Sequence, residues 1–143
     1  MKFEDLLSRI RDRGYELELG NSISFEIGGE KFVVKADAIA KANGKRLILV
    51  KREEYARPLT PLERRTVAIA RLFGVLGFAI LTNEVEVVIL DVQTGERIDF
   101  DELPDANNAN VSVELDFDEE RERRIIAAIG SIRCPCCEDK CTI

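Results

Sequence analysis

The stretch that decides the fold covers residues 31–54 and reads KFVVKADAIAKANGKRLILVKREE. It contains two apolar runs separated by Asn43-Gly44. This dipeptide is the strongest short-range signal for a β-hairpin, because a tight type I′ turn requires a positive φ at both central residues. We therefore predict two antiparallel core strands, over residues 32–40 and 45–52.

Charged side chains interrupt the apolar pattern of both strands. Successive side chains point to opposite faces of a strand, so Lys35 and Asp37 share one face of the first strand, and Lys51 and Glu53 share one face of the second. Carboxylates bind a hard cation such as Mg²⁺, and a lysine steadies an attacking water molecule or the charge that develops on a phosphate. The pattern predicts a magnesium-dependent phosphodiesterase site at the ends of the paired strands.

Length and composition indicate one globular domain. The chain has 143 residues, of which 45% are hydrophobic, enough to bury a core. No apolar run approaches about 20 residues, and the first residues are charged throughout. We therefore expect no transmembrane helix, no signal peptide and a cytoplasmic protein that does not act at a membrane. Charged residues make up 34%, a balance that suits a thermophile.

The absence of histidine excludes several chemistries. There can be no Ser-His-Asp triad, no Cys-His dyad and no His-ligated metal site, so acid–base chemistry falls to carboxylates, Lys, Tyr or Cys. The net charge of −6 argues against a general nucleic-acid binder. The charge is uneven, however, because residues 51–71 carry six bases and three acids, whereas residues 99–122 carry ten acids and one base. The basic middle can face phosphates while the acidic stretch faces water.

Further elements are predicted around the central hairpin. Apolar spacing predicts a first helix over residues 2–13, and Thr60 with Glu63 forms a capping-box pattern that begins a second helix. Alternating patterns and turn residues predict the remaining strands, over residues 15–19, 22–27, 78–82, 84–92, 97–100 and 111–117. Turns are expected at Gly20-Asn21 and Gly28-Gly29, and a last helix after Asp118 turns four isoleucines inward, Ile125, Ile126, Ile129 and Ile132.

The order of these elements is α-β-β-β-α-β, with Asp37 on a core strand and a charged cluster at the end of the next. This order resembles the PD-(D/E)XK nuclease superfamily, in particular the N-terminal domain of type I restriction enzyme R subunits and its small archaeal relatives. The similar segments are KADAIAKANGKRLILVKREE, TPLERRTVAIARLFG and GFAILTNEVEVVILDVQTGE. The resemblance covers about residues 3–98. It implies an α/β, restriction-endonuclease-like core with a mixed central sheet flanked by helices, followed by a C-terminal helix and a cysteine tail.

The resemblance also implies site residues. In the family a Glu on the first helix, an Asp on the second strand and a Glu-x-Lys on the third strand bind the metal and poise the water. Glu4 matches the first position and Asp37 the second. The third position departs from the pattern, because Lys51 stands at the Glu position and Glu53 at the Lys position. A shift of two residues keeps Lys51 as the lysine but places Leu49 where a carboxylate belongs.

Two outcomes are open from the sequence. In the first, Glu53 or Glu54 completes a magnesium site with Glu4 and Asp37, Lys51 is catalytic with Asp37 and Glu53, and the domain is a divergent metal-dependent deoxyribonuclease. The arginines expected to line the DNA approach are Arg52, Arg57, Arg64 and Arg65. In the second, Lys51 pairs with Asp37 in place of the metal, and the domain is an inactive interaction or regulatory module that binds a partner protein or a second copy of itself.

The last ten residues hold all four cysteines, Cys134, Cys136, Cys137 and Cys141. Thiolates at this spacing suit zinc or an iron–sulfur cluster. RecB-like nucleases carry a similar C-terminal group that holds an iron–sulfur cluster, but they also use an N-terminal cysteine that this chain lacks. A disulfide or a redox-active thiol is the alternative. We expect one domain over residues 1–132 and a tail over residues 133–143.

Overall fold

Three α-helices and seven strands make up the regular structure of the described part of the chain, which in this computed structural model comprises residues 1–109, 116–130 and 141–143. The helices are α1 (Phe3–Asp12), α2 (Glu63–Leu72) and α3 (Glu119–Gly130). The strands are β1 (Glu16–Ile27), β2 (Glu30–Ala42), β3 (Lys45–Arg52), β4 (Phe78–Thr82), β5 (Val87–Asp91), β6 (Arg97–Ile98) and β7 (Cys141–Thr142).

The sheet is mixed. Its strand order is β1-β2-β3-β4-β5-β6, and β7 pairs with β2. β3 and β4 are parallel, whereas the other neighbours along this order are antiparallel. α2 makes the crossover that a parallel pair of consecutive strands requires. The predicted α/β class, with a mixed sheet flanked by helices and a C-terminal helix, is confirmed, and it is consistent with a restriction-endonuclease-like fold.

The central hairpin forms as predicted, but the first strand differs from the prediction. Asn43 and Gly44 have φ values of 54° and 76°, as a type I′ turn requires. Gly20-Asn21 was expected to be a turn, yet β1 runs through it and keeps one register with β2 on both sides. Gly20 takes φ +75° inside the strand. The predicted turn is wrong because eleven paired residues of β2 hold the chain extended across this glycine.

The capping box at the start of α2 does not form. Residues Thr60–Leu62 make a short 3₁₀ turn instead, and no side chain caps the helix. The Glu63 carboxylate accepts two hydrogen bonds from Arg97 on β6, at 2.7 and 2.8 Å. A charge-assisted pair of this kind is stronger than a neutral cap. The Glu63 side chain therefore binds Arg97 and does not cap the helix.

The later predictions have mixed outcomes. β5 starts three residues after the predicted position, and residues 100–102 form a 3₁₀ turn rather than strand. The expected strand over residues 111–117 and the inward-facing Ile132 lie largely or wholly outside the described residues, and residues 116 and 117 are not in a strand. Ile126 is fully buried, and Ile125 and Ile129 pack beside it, as predicted for the last helix.

Each face of the sheet has its own apolar core. α2 and α3 cover one face, together with sheet residues such as Ile39, Leu49 and Leu81. α1 covers the other face through Leu6, Leu7 and Ile10. Close contact between the parallel strands depends on Gly77, where a Cβ would lie 2.5 Å from the Leu47 carbonyl oxygen. None of the helices in the described ranges is long and apolar enough to cross a membrane.

The alternation of side chains between the two sheet faces is interrupted in β2 at Asp37. Ala36 and Ala38 are two positions apart, so a regular strand would place both on one face. Ala36 nevertheless packs in the core beneath α2 and α3, whereas Ala38 packs in the core beneath α1. The strand therefore twists sharply between them, and the half-buried Asp37 lies at the twist.

Candidate functional site

The polar residues of the predicted site gather at one edge of the sheet. β3 and β4 run parallel, so their carboxyl ends lie at the same edge, and the Glu53 N–H donates to the Thr82 carbonyl there at 2.7 Å. In α/β sheets ligands bind outside the carboxyl ends of the strands. The geometry of this edge therefore bears on the function.

The strand pairing places Lys51 beside Asp37. Ala38 pairs with Val50, so the next position outward brings Asp37 opposite Lys51, and Nζ lies 4.0 Å from the Asp37 Oδ2. Directly opposed residues have Cβ atoms about 5 Å apart, which is the arrangement that two carboxylates sharing one cation need. The pairing therefore places Lys51, and not Leu49, opposite Asp37.

Asp37 already has cationic partners on its own and the neighbouring strand. Its Oδ1 lies 3.4 Å from the Lys35 ammonium. Its Oδ2 accepts a hydrogen bond from the Arg52 backbone N–H at 2.8 Å. The carboxylate is thus held by two groups in addition to Lys51.

Glu53 is bound to a different set of cations. It pairs with Arg57 four residues along the chain, at 3.4 Å, and with Arg65 on the first turn of α2. The side chains of Glu53 and Arg65 are both almost completely buried. Both carboxylate oxygens of Glu53 therefore pair with arginines, and Glu53 does not bind a cation jointly with Asp37.

Lys51 is buried without a hydrogen bond. Its side chain is 7% exposed, and within the described residues its ammonium makes no hydrogen bond, since the 4.0 Å to Asp37 is too long for one. An ammonium has three donors to satisfy. Burial lowers the pKa of Lys51, although the Asp37 and Glu53 carboxylates oppose this shift. The ammonium is therefore a largely buried cation that keeps some access to solvent at the sheet edge.

The residues present do not fit the magnesium ion that the resemblance implies. Four basic side chains, Lys35, Lys51, Arg57 and Arg65, face two carboxylates, which leaves an excess of two positive charges. Two like unit charges about 4 Å apart repel by about 4 kcal/mol at an effective dielectric constant near 20, and a dication doubles the cost. No group of three or more Asp, Glu, Cys or His in the described part of the chain could hold a metal.

The side chains of the other predicted ligands and DNA contacts have different surroundings, although the Arg52 backbone N–H donates to Asp37. Glu4 is exposed on α1, the helix that covers the opposite sheet face. Arg64 binds Glu122 of α3 through two hydrogen bonds of 2.8 Å. Arg52 pairs with Glu84 at 2.8 Å and lies over the Phe3 ring, 5.2 Å from its centroid. Of the four arginines expected to contact DNA, Arg57 and Arg65 join the cluster.

The cysteine predictions are not tested. Cys134, Cys136 and Cys137 lie outside the described residues. The backbone of Cys141, in β7, pairs with Phe32 of β2. Zinc, an iron–sulfur cluster and a disulfide all stay predictions.

Sequence reasoning missed two residues that shape the edge. Lys35 neutralises Asp37, as its position on the same strand face could have indicated. Asn83 is buried, donates to the Arg57 carbonyl at 2.7 Å, and accepts through Oδ1 from the N–H groups of Val85 and Glu86. This turn explains why β5 begins late. Only the Thr-Asn dipeptide after a strand signalled it.

The comparisons with known proteins are sparse. The sequence matches no protein-family model and no curated protein. Among solved structures it is similar to SSO0001, with 16% identity and a TM-score of 0.46 over 92% of this chain and 58% of that one. It is also similar to the type IIG restriction endonuclease BpuSI, with 16% identity and a TM-score of 0.34 over 90% of this chain and 15% of that one. The chain thus spans about three fifths of the first and a small part of the second.

Proposed function

We propose that this domain binds the phosphate backbone of nucleic acid at the carboxyl ends of β3 and β4, and does not hydrolyse it through a magnesium site. The observation that carries the proposal is the Lys51 ammonium, which is largely buried, makes no hydrogen bond to any residue that the structure describes and stands opposite Asp37. A cation in this state is stabilised by an anion that brings oxygen acceptors. A phosphate group meets both needs.

The surrounding charge supports the same reading. The cluster has an excess of two positive charges, and Arg57 and Lys35 are its more exposed members, with side-chain exposures of 39% and 52%. These two side chains can turn toward a ligand while Arg65 stays bound to Glu53 in the interior. The net charge of −6 opposes general binding of nucleic acid, so the proposed binding depends on this local excess of positive charge.

The test is the affinity of a fluorescent oligonucleotide, measured by anisotropy in EDTA over a series of salt concentrations. Wild type is expected to bind, and added Mg²⁺ should not strengthen binding. Lys51→Met should weaken binding and lower the slope of log K against log salt by about one, the value for one lost phosphate contact. Lys45→Met, at the exposed far end of the same strand, is the matched control and should leave both unchanged.

A different result would restore the enzyme reading. Binding that requires Mg²⁺ or Mn²⁺, or cleavage of the oligonucleotide that Asp37→Ala abolishes, would establish a metal-dependent nuclease and overturn the proposal.

A further inference from the structure

An exposed tyrosine lies in the chain between Glu53 and Arg57, two residues of the cluster around Lys51. Tyr55 is 76% exposed, and its hydroxyl makes no hydrogen bond to any residue that the structure describes. The following residue, Ala56, has φ +60°, a left-handed conformation that costs an L-residue energy. An apolar ring in water beside a strained backbone is not explained by the packing of the fold.

The backbone around Tyr55 is firmly held. The Arg57 N–H donates to the Glu54 carbonyl at 3.0 Å, which closes a four-residue turn with Tyr55 and Ala56 at its centre. A turn with positive φ at its third residue is ordinarily made by Gly or Asn. The buried Asn83 fixes this turn to the end of β4, since its carbonyl accepts from the Ala56 N–H at 3.2 Å and its side chain donates to the Arg57 carbonyl at 2.7 Å.

The position of the ring relates it to the phosphate site. Tyr55 is two residues from Glu53 and from Arg57, both members of the cluster, and the partly exposed Arg52 precedes them. Aromatic rings beside a cationic groove are how proteins bind single-stranded nucleic acid, because an unpaired base stacks on the ring while the groove holds the backbone. Bases inside a duplex are already stacked and paired, and cannot lie on such a ring.

From this geometry we infer that Tyr55 is a stacking platform for an unpaired base, and that the domain prefers single-stranded nucleic acid. The inference rests on the proposed function, because the cluster around Lys51 must hold the neighbouring phosphate. A fixed turn suits this role, since the ring is presented without the entropy cost of ordering a loop on binding.

The experiment compares three ligands: a single-stranded oligonucleotide, the matching duplex and inorganic polyphosphate, which has no bases. Wild type should bind the single strand more tightly than the duplex. Tyr55→Ala should weaken the single strand about 10-fold and leave polyphosphate binding unchanged, whereas Tyr55→Phe should keep wild-type affinity. Leu19→Ala, at another exposed apolar side chain, is the control for surface truncation.

Intrinsic fluorescence gives a second readout. The chain has two tyrosines and no tryptophan, so in a Tyr15→Phe background the emission comes from Tyr55 alone. The single strand should quench this emission, and polyphosphate should not.

The outcomes separate the two proposals. If polyphosphate binds but Tyr55→Ala leaves single-strand affinity unchanged, the stacking inference is wrong and the phosphate site stands; the ring is then free to be a protein contact. Equal loss of both ligands in Tyr55→Ala would also overturn stacking. If wild type binds neither ligand, the proposed function itself has failed.

Discussion

α2 contributes arginines to two ionic clusters that differ in how completely their polar groups are paired. On one face of the helix, Arg64 and Arg71 lie two turns apart and both bind Glu122 of α3, whose side chain is 2% exposed. Three hydrogen bonds of 2.8 Å reach the two carboxylate oxygens, and Arg71 also donates to the carbonyls of Val92 and Gln93. Both carboxylate oxygens of Glu122 therefore accept hydrogen bonds from arginine.

The cluster around Lys51 is different. Its cations outnumber its carboxylates, and the Lys51 ammonium makes no hydrogen bond within the described ranges. An ammonium has three donors, and those of Lys51 are left to solvent or to a ligand. The comparison teaches that the Glu122 cluster joins α3 to the fold, whereas the Lys51 cluster has the charge excess on which we base the proposal of a bound anion.

The largest effect is expected at Glu122. Glu122→Ala should lower the free energy of unfolding by about 3 kcal/mol, because it leaves two arginines facing a cavity without their carboxylate. Urea denaturation measures the change. Glu119→Ala, at an exposed position on the same helix, is the control and should cost little.

The pH dependence of this effect has a definite sign. Burial would raise the pKa of Glu122, but hydrogen bonds from Arg64 and Arg71 hold it below its ordinary value. The stabilisation is therefore present above the unfolded-state pKa and is lost as pH falls through the folded-state pKa. Wild type and Glu122→Ala should converge in stability in acid. If the difference in free energy of unfolding between wild type and Glu122→Ala stayed constant into acid, the role assigned to the ionised Glu122 would be contradicted.

A smaller effect of opposite sign is expected at Lys51. Lys51→Met should raise the free energy of unfolding by about 1 kcal/mol at neutral pH, since it removes a buried and poorly paired charge while Asp37 keeps Lys35 and the Arg52 N–H. Thermal or urea denaturation without added anions measures it. A loss of several kcal/mol would show that Lys51 is structural, like Glu122.

Titration sharpens this second prediction. Burial lowers the pKa of Lys51 in the folded state, so between the folded-state and unfolded-state pKa the unfolded chain binds more protons, and stability rises with pH. The advantage of Lys51→Met should therefore shrink as pH rises toward the ordinary lysine value. Lys45→Met should show no such trend.

The sequence predicts the strands and the central hairpin better than the ionic contacts at the carboxyl ends of β3 and β4. The Asn43-Gly44 turn and the apolar alternation around it set the register that brings Asp37 to Lys51, because both signals are local. The partners of Glu53 and Glu63 could not be predicted, since Arg65 and Arg97 reach them only after the crossover helix and the sheet have assembled. The exposed ring of Tyr55 was missed for a similar reason: its presentation depends on Asn83, 28 residues further along the chain.

The most direct test of the central claim is the shift in melting temperature caused by Mg²⁺ and by pyrophosphate, measured on wild type and on Lys51→Glu. The account predicts that pyrophosphate stabilises wild type and Mg²⁺ does not. In Lys51→Glu, where a carboxylate would stand opposite Asp37, the preference should reverse. Stabilisation of wild type by Mg²⁺, or pyrophosphate stabilisation that survives in Lys51→Glu, would contradict the claim that Lys51 holds an anion where a metal would otherwise bind.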